Sequence, residues 1–299
     1  MRKISEKELA PQRRRDAENF VVWDGEETLD HFLSPTTRCI RDNPVMLAFW
    51  PEVIRPLLTA LAPTHIVEIG SESGKTTRLL LEWAQANHAH VHSIDPAPLF
   101  DPDAVKVEFP GCFECTRLPS LVALPSVRRF DIVLIDGDHN WWTVYNELSL
   151  IEMLARDAGQ PQPLVLLHDV SWPYGRRDLY YAPDAIPAEH RHPYARLGMS
   201  PTSSRLVMKG GHNDRLCNAM EEGGPRNGVL TAVEDYLAAT SVAFEWVVIP
   251  AVYGLGILLP KALAEANPVV AEKVRVWAPP EVQQFIHRLE VARIAMLTG

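Results

Sequence analysis

Short apolar runs alternate with helical periodicity through the middle of the chain. Three of the runs, IVEI, FDIVLI and PLVLLH, are largely apolar and β-branched, which is typical of parallel strands covered by helices on both faces. The predicted strands are residues 65–69, 90–94, 112–116, 130–135 and 163–168. The predicted helices are residues 75–86, a short one near 118–124, and 141–157. This alternation predicts a doubly wound, Rossmann-like α/β sheet with right-handed crossovers.

The flanking segments complete a three-part organisation. The pattern predicts that residues 1–62 form an N-terminal arm and helical cover. Two short helical pieces are expected between Asn43 and Ala62, because Pro51 and Pro56 interrupt the helical pattern. Residues 63–260 are predicted to form the main domain. Within it, the proline- and aromatic-rich segment 171–228 is predicted to form an ordered lid over a substrate.

The C-terminal part of the pattern predicts the end of the sheet and a helical tail. A helix at 229–240 and an antiparallel strand pair at 244–250 and 253–260 would bring the sheet to seven strands. Residues 261–299 predict two helical stretches broken at Pro279-Pro280. The second stretch has an apolar face that must pack on this chain or on a second copy, as in a homo-oligomer; the face comprises Val282, Phe285, Ile286, Leu289, Val291 and Ile294.

The stretch HIVEIGSESGKTT, residues 65–77, predicts a binding turn between the first strand and its helix. Glycines allow positive φ or close approach of a ligand, and helix N-terminal amides attract anions. The spacing of Gly70 and Gly74 is one residue short of a Walker A loop, and the G-x-G-x-x-G dinucleotide pattern fails at its second and third glycines. An acidic-x-Gly-x-x-x-Gly turn remains, and an ordinary strand–turn–helix stays open as the alternative.

Four predicted strands end in a glycine or an acidic residue. Gly70, Asp95, Asp136 and Asp169 each follow an apolar run, and ligands on such sheets bind outside the carboxyl ends of the strands. The sequence therefore predicts one site to which several strands contribute.

Composition narrows the classes of function. Hydrophobic residues make up 46% and charged residues 22%, as in globular proteins, and the net charge of -9 offers no basic field for nucleic acid. No apolar run reaches the roughly 20 residues of a membrane span, and the start of the chain lacks an apolar signal region, so we expect a cytoplasmic protein. Four cysteines are too few for a disulfide scaffold of this length, and we expect Cys112 and Cys115 to be reduced structural residues.

The first turn, FDIVLIDGDHN at 130–140 and LVLLHD at 164–169 together resemble the class I S-adenosylmethionine-dependent methyltransferases. Within that class they are similar to the small-molecule O-methyltransferases of the metal-dependent catechol type and the macrolide-sugar type. The resemblance covers residues 64–170 well, the closing strand pair loosely, and the lid and both termini not at all.

The resemblance implies a set of residues that bind S-adenosylmethionine. The turn would hold the methionine part of the cofactor, Asp95 the ribose hydroxyls, and the segment after the third strand the adenine. The implied residues are Glu68, Gly70, Ser71, Gly74, Thr76, Asp95, Arg117 and Asp136.

The resemblance also implies the reaction centre. Asp136 and Asp169 match metal-ligating aspartates, and His139 matches the general base of the sugar enzymes. Two positions depart from the family, because His168 stands where the sugar enzymes have an acid and Val170 where the catechol enzymes have Asn. We expect Mg²⁺, or a softer divalent metal if His168 is a ligand. For His139 and His168 the alternatives are a helix-capping residue and a core histidine.

The expected function is transfer of a methyl group to a hydroxyl of a small molecule, such as a sugar or an aromatic secondary metabolite. Two rival functions stay open, because a fold does not determine a function. One is another enzyme on the same sheet, either hydroxylase-like or NAD-dependent. The other is a non-catalytic methyltransferase-like subunit that only binds.

Overall fold

The computed structural model describes residues 46–298, and its centre is a seven-stranded sheet. The strands are β1 His65–Ile69, β2 His90–Ile94, β3 Phe113–Thr116, β4 Ile132–Ile135, β5 Leu164–His168, β11 Phe244–Ile249 and β12 Leu255–Pro260. Their order is β11-β12-β5-β4-β1-β2-β3, and β12 is antiparallel to both of its neighbours. The pairs among β1 to β5 are parallel, which confirms the predicted doubly wound sheet with an antiparallel last strand.

Helices follow the strands largely where the periodicity predicts them. They are α1 Arg55–Leu61, α2 Lys75–Asn87, α3 Pro102–Glu108, α4 Ser120–Ala123, α5 Trp141–Asp157, α6 Val229–Ala239, α7 Lys261–Ala266, α8 Pro268–Arg275 and α9 Pro280–Thr298. Short 3₁₀ turns lie at Met46–Phe49, Leu124–Ser126, Pro183–Ala185 and Ala188–His190, and a π-helical turn at Trp50–Ile54. None of the helices in 46–298 is long and apolar enough to cross a bilayer.

Three local expectations were wrong. Helix α3 was not predicted; Asp101 caps it by accepting from Asp103 N and Ala104 N, and Pro102 starts it. Residues 46–61 form a continuous succession of 3₁₀, π and α turns rather than two pieces, because Pro51 and Pro56 stand in first turns, where a missing N–H is tolerated. The tail has three helices instead of two. The rest of the predicted N-terminal arm lies outside the described residues.

The segment between β5 and α6 is ordered and contains two small sheets. Its strands are β6 Leu179–Tyr180, β7 Tyr194–Arg196, β8 Gly198–Ser200, β9 Ser203–Val207 and β10 Cys217–Ala219. They pair as β6-β10-β7 and β8-β9. Buried Asp178 joins this segment to the main domain, since its Oδ1 accepts Trp141 N at 2.8 Å and Gly228 N at 2.6 Å. The segment's role as a lid stays a prediction.

The last helix packs only part of the apolar face predicted for it. Ile294 is buried, whereas Phe285 and Leu289 are 55% and 57% exposed. Association through this face remains a prediction.

The strand register places the expected site residues in one line. Ile69 pairs with Ile94 on one side and with Ile135 on the other, and Ile135 pairs with Leu167. Because these strands are parallel, the residues that follow them emerge at the same edge of the sheet. They are Gly70, Asp95, Asp136 and His168.

Candidate functional site

The turn after β1 is held by the carboxylate after β2. Asp95 Oδ2 accepts the Ser71 amide at 2.9 Å, the Ser71 hydroxyl at 3.2 Å and the Glu72 amide at 2.8 Å, while Oδ1 accepts Ala97 N at 2.8 Å. A carboxylate has about four lone-pair sites, so Oδ1 retains acceptor capacity. The turn and Asp95 therefore lie next to each other, as predicted, and the hydrogen bonds to Asp95 also shape the turn.

Gly70 brings this turn against the loop after β4. Its φ of +82° lies in the left-handed region, and a Cβ there would lie 2.6 Å from Asp136 C and from Gly137 Cα. Real Cβ atoms do not approach so closely, which explains why a glycine stands here. The binding turn and the Asp136 loop are consequently parts of one site.

Glu68 lies beneath the turn as a buried acid. Its Oε2 accepts the hydroxyl of Thr77 at 2.7 Å, and its Oε1 has no hydrogen-bond partner among the described residues. Burial raises the pKa of Glu68 to about 8, against weaker opposition from its hydrogen bond with Thr77. Thr77 was missed by the sequence reasoning, although its position in the first turn of α2 offered a signal.

Two predicted cofactor residues lie at the margins of this region. Thr76 is partly buried in the first turn of α2, and Arg117 is exposed directly after β3. Their roles stay predictions.

Three side chains from two loops converge beside the turn. His139 Nε2 lies 3.1 Å from Asp169 Oδ2 and 3.5 Å from Asp136 Oδ1. These two residues and His139 offer ligand atoms that all lie within 4.8 Å of one another. Asp136, His139 and Asp169 therefore form a cluster with the chemistry of a divalent-metal or proton-transfer site.

His168 adds a second imidazole to this cluster. Its Nδ1 lies 3.1 Å from Asp136 Oδ1 and 2.9 Å from Asp169 Oδ2, and its Nε2 lies 2.9 Å from the Val252 carbonyl oxygen. Burial acts to lower the pKa of His168, but Asp136 and Asp169 outweigh it and hold that pKa well above its usual value. The expectation of an ordinary core histidine does not describe a ring with these two carboxylate contacts.

The histidines and Asp136 of the cluster shift one another's pKa values. Burial acts to raise the pKa of Asp136, yet His168 and His139 hold it below its usual range. Burial likewise acts to lower the pKa of His139, but Asp169 and Asp136 raise it overall. Asp136 thus favours the charged forms of His139 and His168, and both histidines favour the ionised form of Asp136.

His139 packs against aromatic residues of the segment 171–228. Its ring stacks on Tyr174 with centroids 5.4 Å apart, and its Nδ1 lies 3.4 Å from the Tyr181 hydroxyl. The alternative of a helix-capping role for His139 was wrong, because Asn140 caps α5 by accepting Thr143 N at 2.9 Å. The side chain of His139 therefore does not cap α5, and its Nε2 points toward the carboxylates of Asp136 and Asp169.

A chain of further rings begins next to His168, in segments in which the sequence showed no motif. Tyr253 lies 6.4 Å from His168 between ring centroids, His212 lies 5.5 Å from Tyr253, and Trp172 lies 5.7 Å from His212. The aromatic density of 171–228 was the only signal for Trp172, whereas Tyr253 lies outside that segment, in the loop between β11 and β12.

Comparison with known proteins identifies the central part of the chain. Residues 67–170 match the family model described as a methyltransferase domain, which confirms the resemblance seen in the motifs. No curated protein matches the chain.

Solved structures give distant likenesses. The SAH-bound methyltransferase PaMTH1 of Podospora anserina is 13% identical, with 87% of this chain and 98% of that chain covered at a TM-score of 0.42. The 1,6-didemethyltoxoflavin-N1-methyltransferase of Burkholderia thailandensis is 14% identical, with 86% and 90% covered at a TM-score of 0.39. The methyltransferase CalO6 is 17% identical, with 82% and 74% covered at a TM-score of 0.39.

Proposed function

We propose, on the premise that residues 67–170 are an S-adenosylmethionine-dependent methyltransferase domain, that this chain methylates a hydroxyl of a small molecule with metal assistance. The observation that carries the proposal is the contact between Gly70 and the Asp136 loop. This contact supports a cofactor site at the turn beside the Asp136, His139 and Asp169 cluster, where a methyl donor and a deprotonated hydroxyl would have to meet.

The residues at the turn fit S-adenosylmethionine. Glu68 has a buried oxygen without a partner, and Asp95 Oδ1 retains acceptor capacity for a ribose hydroxyl. The cofactor carries cationic groups, and a cation near Glu68 favours its ionised form. When bound, S-adenosylmethionine supplies an already activated methyl group, so the residues need only orient it, exclude water and remove a proton from the acceptor.

His139 is the proposed general base. Its Nε2 is buried, and its approaches to Asp169 and Asp136 are not aligned as hydrogen bonds. Burial acts to lower the pKa of His139, but the two carboxylates raise it overall, so a cation that offsets their charge would lower that pKa. A neutral imidazole can then take the proton from the acceptor hydroxyl.

The donor set fits a divalent cation. Asp136, His168 and Asp169 would hold it, and His168 meets the usual pattern for a ligand because its other nitrogen faces a backbone carbonyl. A bound cation would lower the pKa of a coordinated hydroxyl. Two oxygen ligands suit Mg²⁺, and an imidazole ligand extends the choice to softer metals.

The rings around the cluster support a flat or cyclic acceptor. Tyr181 is exposed and its ring lies 5.7 Å from that of His139, and the ring of Tyr253 lies 6.4 Å from that of His168. Aromatic side chains stack on aromatic rings and on the apolar faces of sugars, so both acceptor classes of the proposal remain.

Titration calorimetry is the first test. The protein should bind S-adenosylmethionine and not NAD, and Asp95→Ala should weaken binding whereas the exposed control Asp103→Asn should not. Binding of NAD in preference to S-adenosylmethionine would favour the rival enzyme class.

The second test is turnover. Incubation with S-adenosylmethionine, Mg²⁺ or Mn²⁺, and a panel of phenolic and sugar hydroxyl compounds should release S-adenosylhomocysteine, detected by mass spectrometry. A chelator should abolish the release and added metal should restore it. Cofactor binding without turnover on any acceptor would favour a binding subunit, and turnover that resists chelation would remove the metal from the mechanism.

A further inference from the structure

His212 is a partly buried histidine of the segment 171–228 whose ring has no hydrogen-bond partner among residues 46–298. Its ring centroid lies 5.5 Å from that of Tyr253 and 5.7 Å from that of Trp172. The indole Nε1–H of Trp172 is buried and also lacks a partner in this part of the chain. Two neighbouring polar groups that the protein leaves unsatisfied indicate a place where a ligand binds.

The backbone around His212 is fixed before any ligand binds. The N–H and C=O of His212 pair with those of buried Met199 in β8, both at 2.9 Å. Gly211, the preceding residue, has a φ of +84°, and a Cβ there would lie 2.8 Å from the Met199 oxygen, so a glycine is needed for this approach. Trp172 packs against a buried cluster of the same segment that includes Tyr174 and Met199. Both rings are therefore held in place.

The His212 ring lies between the reaction centre and the last helix. Burial lowers its pKa, Arg293 acts in the same direction, and the carboxylate of Asp169 only partly opposes them. The imidazole is therefore neutral at pH 7 and near enough to both charges to be affected by them. Tyr253 connects it to the cluster, since the Tyr253 ring also lies 6.4 Å from that of His168. A molecule bound at the cluster and extending along Tyr253 would reach the unpaired nitrogens of His212.

We propose that His212 determines which acceptor is methylated, by hydrogen-bonding an uncharged oxygen at the end of the acceptor remote from the reacting hydroxyl. This inference rests on the proposed methyl transfer at the Asp136, His139 and Asp169 cluster. A neutral imidazole has one donor and one acceptor nitrogen, and a carbonyl or hydroxyl oxygen can accept from the donor. The expected acceptors are therefore ring compounds that carry a carbonyl or a second hydroxyl across the ring from the hydroxyl that is methylated.

Two acceptor probes of similar size differ at that remote position. 3,4-Dihydroxybenzaldehyde carries a carbonyl oxygen across the ring from its hydroxyls, and 4-methylcatechol carries a methyl group there. His212→Phe keeps a ring and removes both nitrogens, whereas His212→Gln keeps one donor and one acceptor. The matched control is His190→Phe, the same substitution in the same segment at a ring that packs near Trp141 and Trp142.

Steady-state kinetics with S-adenosylmethionine and Mg²⁺ give KM and kcat for each probe. His212→Phe should raise the KM for the aldehyde by about 10-fold, the scale of one lost neutral hydrogen bond, and leave kcat unchanged. Its KM for 4-methylcatechol should stay near the wild-type value. His212→Gln should recover most of the affinity for the aldehyde, and His190→Phe should resemble the wild type with both probes.

Binding is measured independently of turnover. Long-range ¹H–¹⁵N spectra of ¹⁵N-histidine-labelled protein with S-adenosylhomocysteine and Mg²⁺ show the His212 ring nitrogens, assigned by the signals lost in His212→Phe. These signals should shift when 3,4-dihydroxybenzaldehyde is added, because the carbonyl oxygen accepts the ring N–H. They should not shift with 4-methylcatechol.

The outcomes separate this inference from the proposed function. If the wild type methylates neither probe but the aldehyde alone shifts the His212 signals, the role of His212 stands and the proposed methyl transfer fails for these hydroxyls. If the wild type methylates both probes and His212→Phe raises both KM values equally, His212 is structural and the inference is overturned. The absence of an aldehyde-specific shift overturns it whether or not methylation occurs. If His212→Phe does not melt cooperatively, His212→Met replaces it with the same expected results.

Discussion

Thr77 donates its hydroxyl hydrogen to Glu68 Oε2 at 2.7 Å, joining the first turn of α2 to the end of β1 directly beneath the binding turn. The bond uses one oxygen of a buried acid and leaves Oε1 without a partner among the described residues. A buried acceptor that the protein itself does not satisfy is suited to a ligand.

Glu68→Ala should therefore weaken S-adenosylmethionine binding by about 10-fold or more, the usual scale for a hydrogen bond to a charged group. Calorimetry measures the dissociation constant. Thr77→Val, which removes only the supporting hydroxyl, should have a smaller effect. An unchanged dissociation constant in Glu68→Ala would exclude Glu68 from the cofactor site.

His139→Ala should lower the rate of methyl transfer by about 100-fold or more while leaving S-adenosylmethionine affinity intact, as expected for loss of a general base. Rates come from S-adenosylhomocysteine release under single-turnover conditions. Tyr181→Phe removes the hydroxyl 3.4 Å from Nδ1 and should have a smaller effect. A wild-type rate in His139→Ala would assign the base to another residue.

Asp178 is expected to hold the lid segment on the domain. Its oxygens accept Trp141 N, Gly228 N and the Tyr180 hydroxyl, so Asp178→Ala leaves three buried donors without their acceptor. The free energy of unfolding should fall by about 3 kcal/mol, measured by urea denaturation. Asp184→Ala, an exposed acid of the same segment, should change it by about 0.5 kcal/mol or less. Equal effects of the two substitutions would contradict the anchoring role.

Glu147 on α5 should make stability depend on pH. Burial raises its pKa from 4.5 to about 8, only partly offset by Ser120. Between those values the unfolded chain releases a proton that the folded protein keeps, so the stability of the fold falls as pH rises, by up to ~1.4 kcal/mol per unit. Glu147→Gln removes this loss, and its advantage over the wild type in urea denaturation should grow from pH 5 to pH 8. Parallel curves for the two proteins would show that Glu147 does not titrate in this way.

The centre of the sheet could be predicted from the sequence because β1, β4 and β5 are short, largely apolar and buried on both faces. The patterns around Val67, Val133 and Val165 were sufficient to place β1, β4 and β5 and to expect their carboxyl ends at one edge. Helix α3 escaped because its periodicity covers less than two turns and its start depends on the Asp101 cap. The strands of residues 171–228 were not predicted because they are too short to show alternation of apolar and polar residues, as Leu179–Tyr180 illustrates.

By itself the sequence determined the doubly wound sheet, the turn at Gly70 and the presence of Asp95, Asp136, His139 and Asp169 near strand ends, because burial imposes a local pattern and parallel strands share an edge. Only the tertiary structure decided which groups complete the site. The Val252 carbonyl and the ring of Tyr181 come from segments remote in sequence. A hydrogen bond between distant residues depends on how helices and loops pack against one another. The hydrophobic pattern of the sequence records which residues are buried, but not which distant polar groups meet.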